Sequence, residues 1–141
     1  FSYFETEGDA DIQLPITVQE DEFWTKIRIN PGSIQLGKTK VIPAATYIRL
    51  RHKPCQPEEA EFSMEKSDKE SVFKINYLNI ARTLSIRFET TAPYRILGWE
   101  ETGPNGGLQS KGRLKACLMS AYWSQHDNAS SGLRDSLKLK L

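Results

Sequence analysis

Thr83-Leu84-Ser85-Ile86-Arg87-Phe88-Glu89-Thr90, followed by Tyr94-Arg95-Ile96-Leu97-Gly98-Trp99-Glu100-Glu101 and then Gly103-Pro104-Asn105-Gly106-Gly107, is the stretch that decides the fold class. Leu84, Ile86 and Phe88 alternate with Ser85, Arg87 and Glu89, the period of a strand with one buried face. Asn105-Gly106 tolerates the positive φ of a tight reversal, so it marks a hairpin between two apolar runs. Arg82 to Trp123 therefore reads as a ribbon of two long strands. The first passes through Pro93, and the return runs from Leu108 to Trp123. From Tyr94 onward both faces carry apolar groups, which suits a central strand with Trp99 as a core anchor. Gly98 leaves a gap that an aromatic ring or a ligand could fill. The return run is basic on one face at Lys111, Arg113 and Lys115, and apolar further on.

Working outward, Asp11 to Val18 places Ile12, Leu14, Ile16 and Val18 on one face, and Pro15 assigns that strand to an edge or a bulge. Thr17 and Glu20 have capping-box spacing, and Phe23 and Ile27 lie four apart, so a helical turn or two is expected over 19–26. Thr46 to Lys53 reads as a strand with Ile48, Leu50 and His52 on one face and Tyr47, Arg49, Arg51 and Lys53 on the other. Pro54 to Asp68 reads as loop, and Phe73, Ile75 and Tyr77 as another strand. Ser130 to Leu141 suits a short terminal helix docked through Leu133 and Leu137. The expected fold is all-β, a single antiparallel β-sandwich or a lipocalin-like barrel with a short C-terminal helix. One domain is expected over residues 1–141, the mature or truncated part of a longer precursor.

Gly32-Ser33-Ile34-Gln35-Leu36-Gly37-Lys38-Thr39 matches the spacing of a phosphate-binding loop. That chemistry needs a helix to follow, with its N-terminus toward the charge. Here Lys40-Val41-Ile42-Pro43 follows, and two β-branched residues with a proline end any helix in its first turn. The match is read as turn plus strand.

A net charge of +1 and 26% charged residues give no bias toward nucleic acid, and no apolar run reaches the roughly 20 residues of a membrane span. Cys55 and Cys117, if bridged, would add about 4 kcal/mol in the chain-entropy account; the favoured reading is two separate thiols. Asn128-Ala129-Ser130 is a glycosylation sequon relevant only to a eukaryotic secretory route.

For function, the row Tyr47, Arg49, Arg51, Lys53 suits a carboxylated or sulfated ligand. Trp24, Trp99, Trp123, Tyr47, Tyr94 and Tyr122 offer sugar-stacking faces. Glu100 and Glu101, adjacent on a strand, point to opposite faces and cannot form a glycosidase pair. His126 beside Asp127 offers a base, yet no serine elbow marks a nucleophile, and two histidines preclude a His-rich metal site. The sequence thus points to a non-catalytic binding or assembly module of an exported or surface protein, without a cofactor. Its expected ligand is an acidic glycan or a protein partner, held by Tyr47, Arg49, Arg51, Lys53, Tyr94, Trp99, Glu101, Trp123 and His126. A glycan- or ester-directed hydrolase using His126 with a carboxylate is the alternative.

Overall fold

The computed structural model describes residues 11–139. Its centre is one curled sheet of seven strands in sequence order: β1 Val18–Gln19, β2 Gly37–Ile42, β3 Glu58–Lys66, β4 Glu70–Tyr77, β5 Thr83–Glu89, β6 Ile96–Thr102 and β7 Leu108–Arg113. Every pairing is antiparallel except β1 with β2, which is parallel. The described residues form no second sheet, and β1 and β7 remain as edges, so the sheet is half a barrel in place of a sandwich. Helix α1, Phe23–Ile29, lies in the curl, with Phe23 and Ile27 in one core cluster with Phe62, Phe73, Ile75, Leu84, Ile86 and Phe88. Two further helices are short: α2, Ala45–Leu50, and α3, Leu133–Ser136.

Cross-strand register explains why this sequence curls around a helix. The rows Phe62–Ile75–Leu84 and Met64–Phe73–Ile86 place apolar side chains on the concave face. The convex face opposes unlike charges: Lys40 faces Glu59, and Lys38 faces Glu61. These partners correct the reading of Pro54 to Asp68 as loop. Glutamate is a poor strand former alone, but in β3 Glu59 and Glu61 stand opposite lysines while Ala60 and Phe62 between and beside them are buried.

Other expectations change with physical cause. The stretch 83–101 is not one strand. The chain reverses at Pro93, where Tyr94 N–H donates to Thr91 C=O at 3.0 Å, and β6 returns antiparallel to β5. The expected strand over Asp11 to Val18 shrinks to its last residue, Val18, continued by Gln19. Pro15 has no N–H to donate, and Ile12 and Ile16 are exposed. A box does form on the 3-10 turn Glu20–Glu22 that leads into α1, two residues on from the expected place: Glu22 accepts from Gln19 N–H at 3.1 Å. The return strand stops at Arg113 instead of reaching Trp123. Its last rung is Leu114 N–H to Leu97 C=O, and β6 begins at Ile96, so later residues have no strand to pair with. At the turn before it, Asn105 and Gly106 have φ of 59° and 71°, the left-handed conformations expected there.

Thr46 to Lys53 is the largest departure, because Ala45–Leu50 is helical. Over so few residues a polar–apolar alternation does not separate the two periods, and tertiary context decides. Asp21 accepts from Ala45 N–H at 3.0 Å and so satisfies a first-turn donor of the helix. The terminal helix forms, but over four residues and with none buried. Gly37–Ile42 is a strand, as the failed phosphate-loop match requires. Cys55 and Cys117 are unpaired thiols. No helix among the described residues is long and apolar enough to cross a membrane.

Trp99 is not the core anchor expected. It is 37% exposed and lies over Gly112, where an added Cβ would sit 2.1 Å from the indole. Nor is Gly98 a vacancy for a ring. A Cβ there would meet the Gly112 carbonyl oxygen at 2.5 Å and an Arg87 nitrogen at 3.1 Å. Because backbone cannot swing aside, Gly98→Ala should destabilise by roughly 1–3 kcal/mol in a urea melt, as overpacking does. Unchanged stability would mean that β6 and β7 are not held this close.

Candidate functional site

The inward parity of β5, Leu84, Ile86 and Phe88, extends back to Arg82, which puts a guanidinium on the buried face. On the helical side, Glu20 precedes Phe23 and Ile27 at spacings of three and seven, so a carboxylate falls on the buried stripe of α1. The two meet. Arg82 Nη2 donates to Glu20 Oε1 at 2.7 Å, and Nη1 donates to Glu20 Oε2 in a second short bond. Arg82 Nε donates to Glu101 Oε1 at 2.7 Å, Tyr77 OH donates to Glu20 Oε2 at 2.5 Å, and Ser110 donates to Glu101 Oε2 at 3.0 Å. The guanidinium also lies 4.5 Å from the Tyr47 ring centre and 5.3 Å from that of Tyr77.

These contacts fix the protonation states. Burial pushes the Tyr77 hydroxyl well above the usual phenol range, and the neighbouring Glu20 carboxylate adds to it. Burial alone would favour a neutral Arg82, but its bonds to Glu20 and Glu101 hold it charged. For Glu101, desolvation pulls upward, while the hydrogen bonds and charge of Arg82 and the Ser110 hydroxyl bring the carboxyl below its ordinary value. Arg82 is therefore a hub joining the start of α1, the end of β4, α2 and β6.

Above the hub lies a cleft between α2 and the β6–β7 end of the sheet, in two lobes. One, about 510 Å³, is lined by Tyr47, Arg51, Lys53, Arg82, Glu101 and Gln109 among others. The second, about 630 Å³, shares Tyr47, Arg51, Arg82, Glu101 and Gln109 and adds Trp24, Leu50, Leu84 and Trp99. Trp24 and Trp99 stand edge to face, 5.8 Å apart at 89°. Arg51 Nη2 donates to Gln109 Oε1 at 2.5 Å and so ties the end of α2 to β7. Lys53 lies in one lobe and the two indoles in the other, Tyr47 and Arg51 border both, and the floor's Glu20, Arg82 and Glu101 satisfy one another.

The helical α2 sorts the expected cationic row. Tyr47 and Arg51, four residues apart, face the cleft together, and Lys53 joins them just past the helix. Arg49 is exposed and lines neither lobe. Trp99 and Glu101 line the cleft. Tyr94 packs against the core at the Pro93 turn. Trp123 is 69% exposed, beside Tyr122, and His126 is exposed; neither lines the cleft. Among the described residues His126 has no carboxylate partner, and no cluster of His, Cys, Asp or Glu could hold a metal ion. Comparison of the chain with known protein families, characterised proteins and solved structures found no match.

Proposed function

We propose that the domain is a non-catalytic binding module of an exported or surface protein, and that its cleft takes an acidic glycan. The ring of a sugar would lie against Trp24 and Trp99, and its carboxylate or sulfate would meet Arg51 and Lys53. The observation that carries this reading is the makeup of the cleft: exposed Lys53 in one lobe, Trp24 and Trp99 in the other, and exposed Arg51 lining both. A guanidinium suits a planar carboxylate, and indole suits the apolar face of a sugar. The floor supports binding over catalysis, because Glu20 and Glu101 are committed to Arg82. Neither is left as an acid or base for a substrate.

Uronic-acid oligosaccharides titrated against their neutral counterparts test it. The acidic members should bind, and more weakly as salt rises, since exposed charges are screened over about 10 Å at 0.1 M. Arg51→Ala with Lys53→Ala should weaken binding about tenfold or more, the size of one lost charge-assisted contact. Equal binding of neutral sugars, or release of cleaved product, would contradict the reading.

A further inference from the structure

The free edge of β7 has a defined hydrogen-bonding phase. Leu114 N–H donates to Leu97 C=O, and Gly112 and Ser110 stand opposite Trp99 and Glu101, so these residues turn their backbone groups toward β6. Lys111 and Arg113, the residues between, therefore point N–H and C=O away from the sheet. Their backbone groups bond to nothing else among the described residues, and the strand is exposed except at Gly112. Such an edge is a template for another strand.

Charge says what fits it. Lys111 and Arg113 lie on β7 and Lys115 just beyond, and none of the three has an ion pair among the described residues. Arg113 stands opposite Gly98, which offers no side chain, and from Thr102 to His126 the chain has no carboxylate. A second copy is a poor occupant. Two β7 edges pairing about Lys111, or one rung away, would set Lys111 against Lys111 or Arg113, and like charges directly opposite destabilise. We propose that this edge docks an extended polypeptide segment of a partner with acidic residues at alternate positions. Backbone bonds to Lys111 and Arg113 would give affinity, and the cations would select the segment. The proposal is independent of the glycan cleft, which lies on the concave side.

The test uses the whole chain and three eight-residue peptides that alternate threonine with glutamate, glutamine or lysine, read by NMR-detected amide exchange. The glutamate peptide should slow exchange at Lys111 and Arg113 by about tenfold or more, while Ser110 and Gly112, already paired, change little. The glutamine and lysine peptides should not. Lys111→Glu with Arg113→Glu should exchange the preference, losing the glutamate peptide and gaining the lysine peptide. Lys111→Pro removes an outward donor without touching the β6 ladder and should abolish protection. The proposal is overturned by unchanged exchange with the glutamate peptide, by equal protection from all three peptides, by a double variant that still prefers glutamate, or by protection that appears without peptide as protein concentration rises.

Discussion

Arg82→Ala is expected to cost about 3–5 kcal/mol of stability, the range for breaking a buried ion pair by removing one partner. Arg82 is 5% exposed and Glu20 2%. The variant leaves the Glu20 carboxylate buried with only the Tyr77 hydroxyl for a partner, and removes the clamp on Glu101. Most of the loss is thus the stranded charge, so adding Glu20→Gln should recover part of it. A double-mutant cycle in urea measures that coupling, and strict additivity would show that the pair is not joined. The pH dependence has a definite sign. The Glu101 carboxyl lies below its ordinary value of 4.5 in the folded protein, despite desolvation, because Arg82 holds it charged. Its contribution is fully present above that ordinary value and fades as pH falls through the lower folded value. In Arg82→Ala this acid-linked loss should disappear.

Phe73→Ala should be comparably severe, about 3–5 kcal/mol, because it opens a cavity where the structure is least able to close it. Phe73 is fully buried on the central strand β4 and touches Phe23 of α1 at 4.9 Å and Phe62 of β3 at 5.5 Å between ring centres. It stands between Met64 and Ile86 in the concave rows, so its removal unseats the helix and two neighbouring strands together. Phe73→Leu should cost markedly less, under about 2 kcal/mol, since most of the volume stays. Chemical denaturation checks both. Similar stability for the alanine variant would mean that α1 does not pack in the curl.

The sheet was legible where one face is buried and the other is not. Leu84, Ile86 and Phe88, like Phe73, Ile75 and Tyr77, alternate cleanly and became β5 and β4. β3 was hidden because its glutamates mask the inward Ala60 and Phe62 until Lys38 and Lys40 are placed across from them. α2 was misread because Tyr47, Arg49 and Arg51 fit a strand face as well as they fit a helix, and the Asp21 carboxylate that caps it lies 24 residues away in sequence. The hub was missed, yet it left a signal. Arg82 continues the inward parity of β5, and Glu20 falls on the apolar stripe of α1, so the pattern sets two opposite charges, 62 residues apart, on buried faces. Buried charges need partners, and these two are each other's. Only the cleft roof, set by the tertiary seating of α2, had no local trace.

That seating is the central claim, since it turns Tyr47 and Arg51 from strand residues into a wall of the cleft. Side-chain NMR tests it most directly, through nuclear Overhauser contacts between the Tyr47 ring and the Arg82 δ-methylene protons together with the Cα shifts of residues 45–50. The expected result is helical shifts over Ala45–Leu50, with Tyr47 contacts to Arg82 and upfield displacement of its methylene protons by the two flanking rings. Extended shifts over those residues with no Tyr47–Arg82 contact would contradict it.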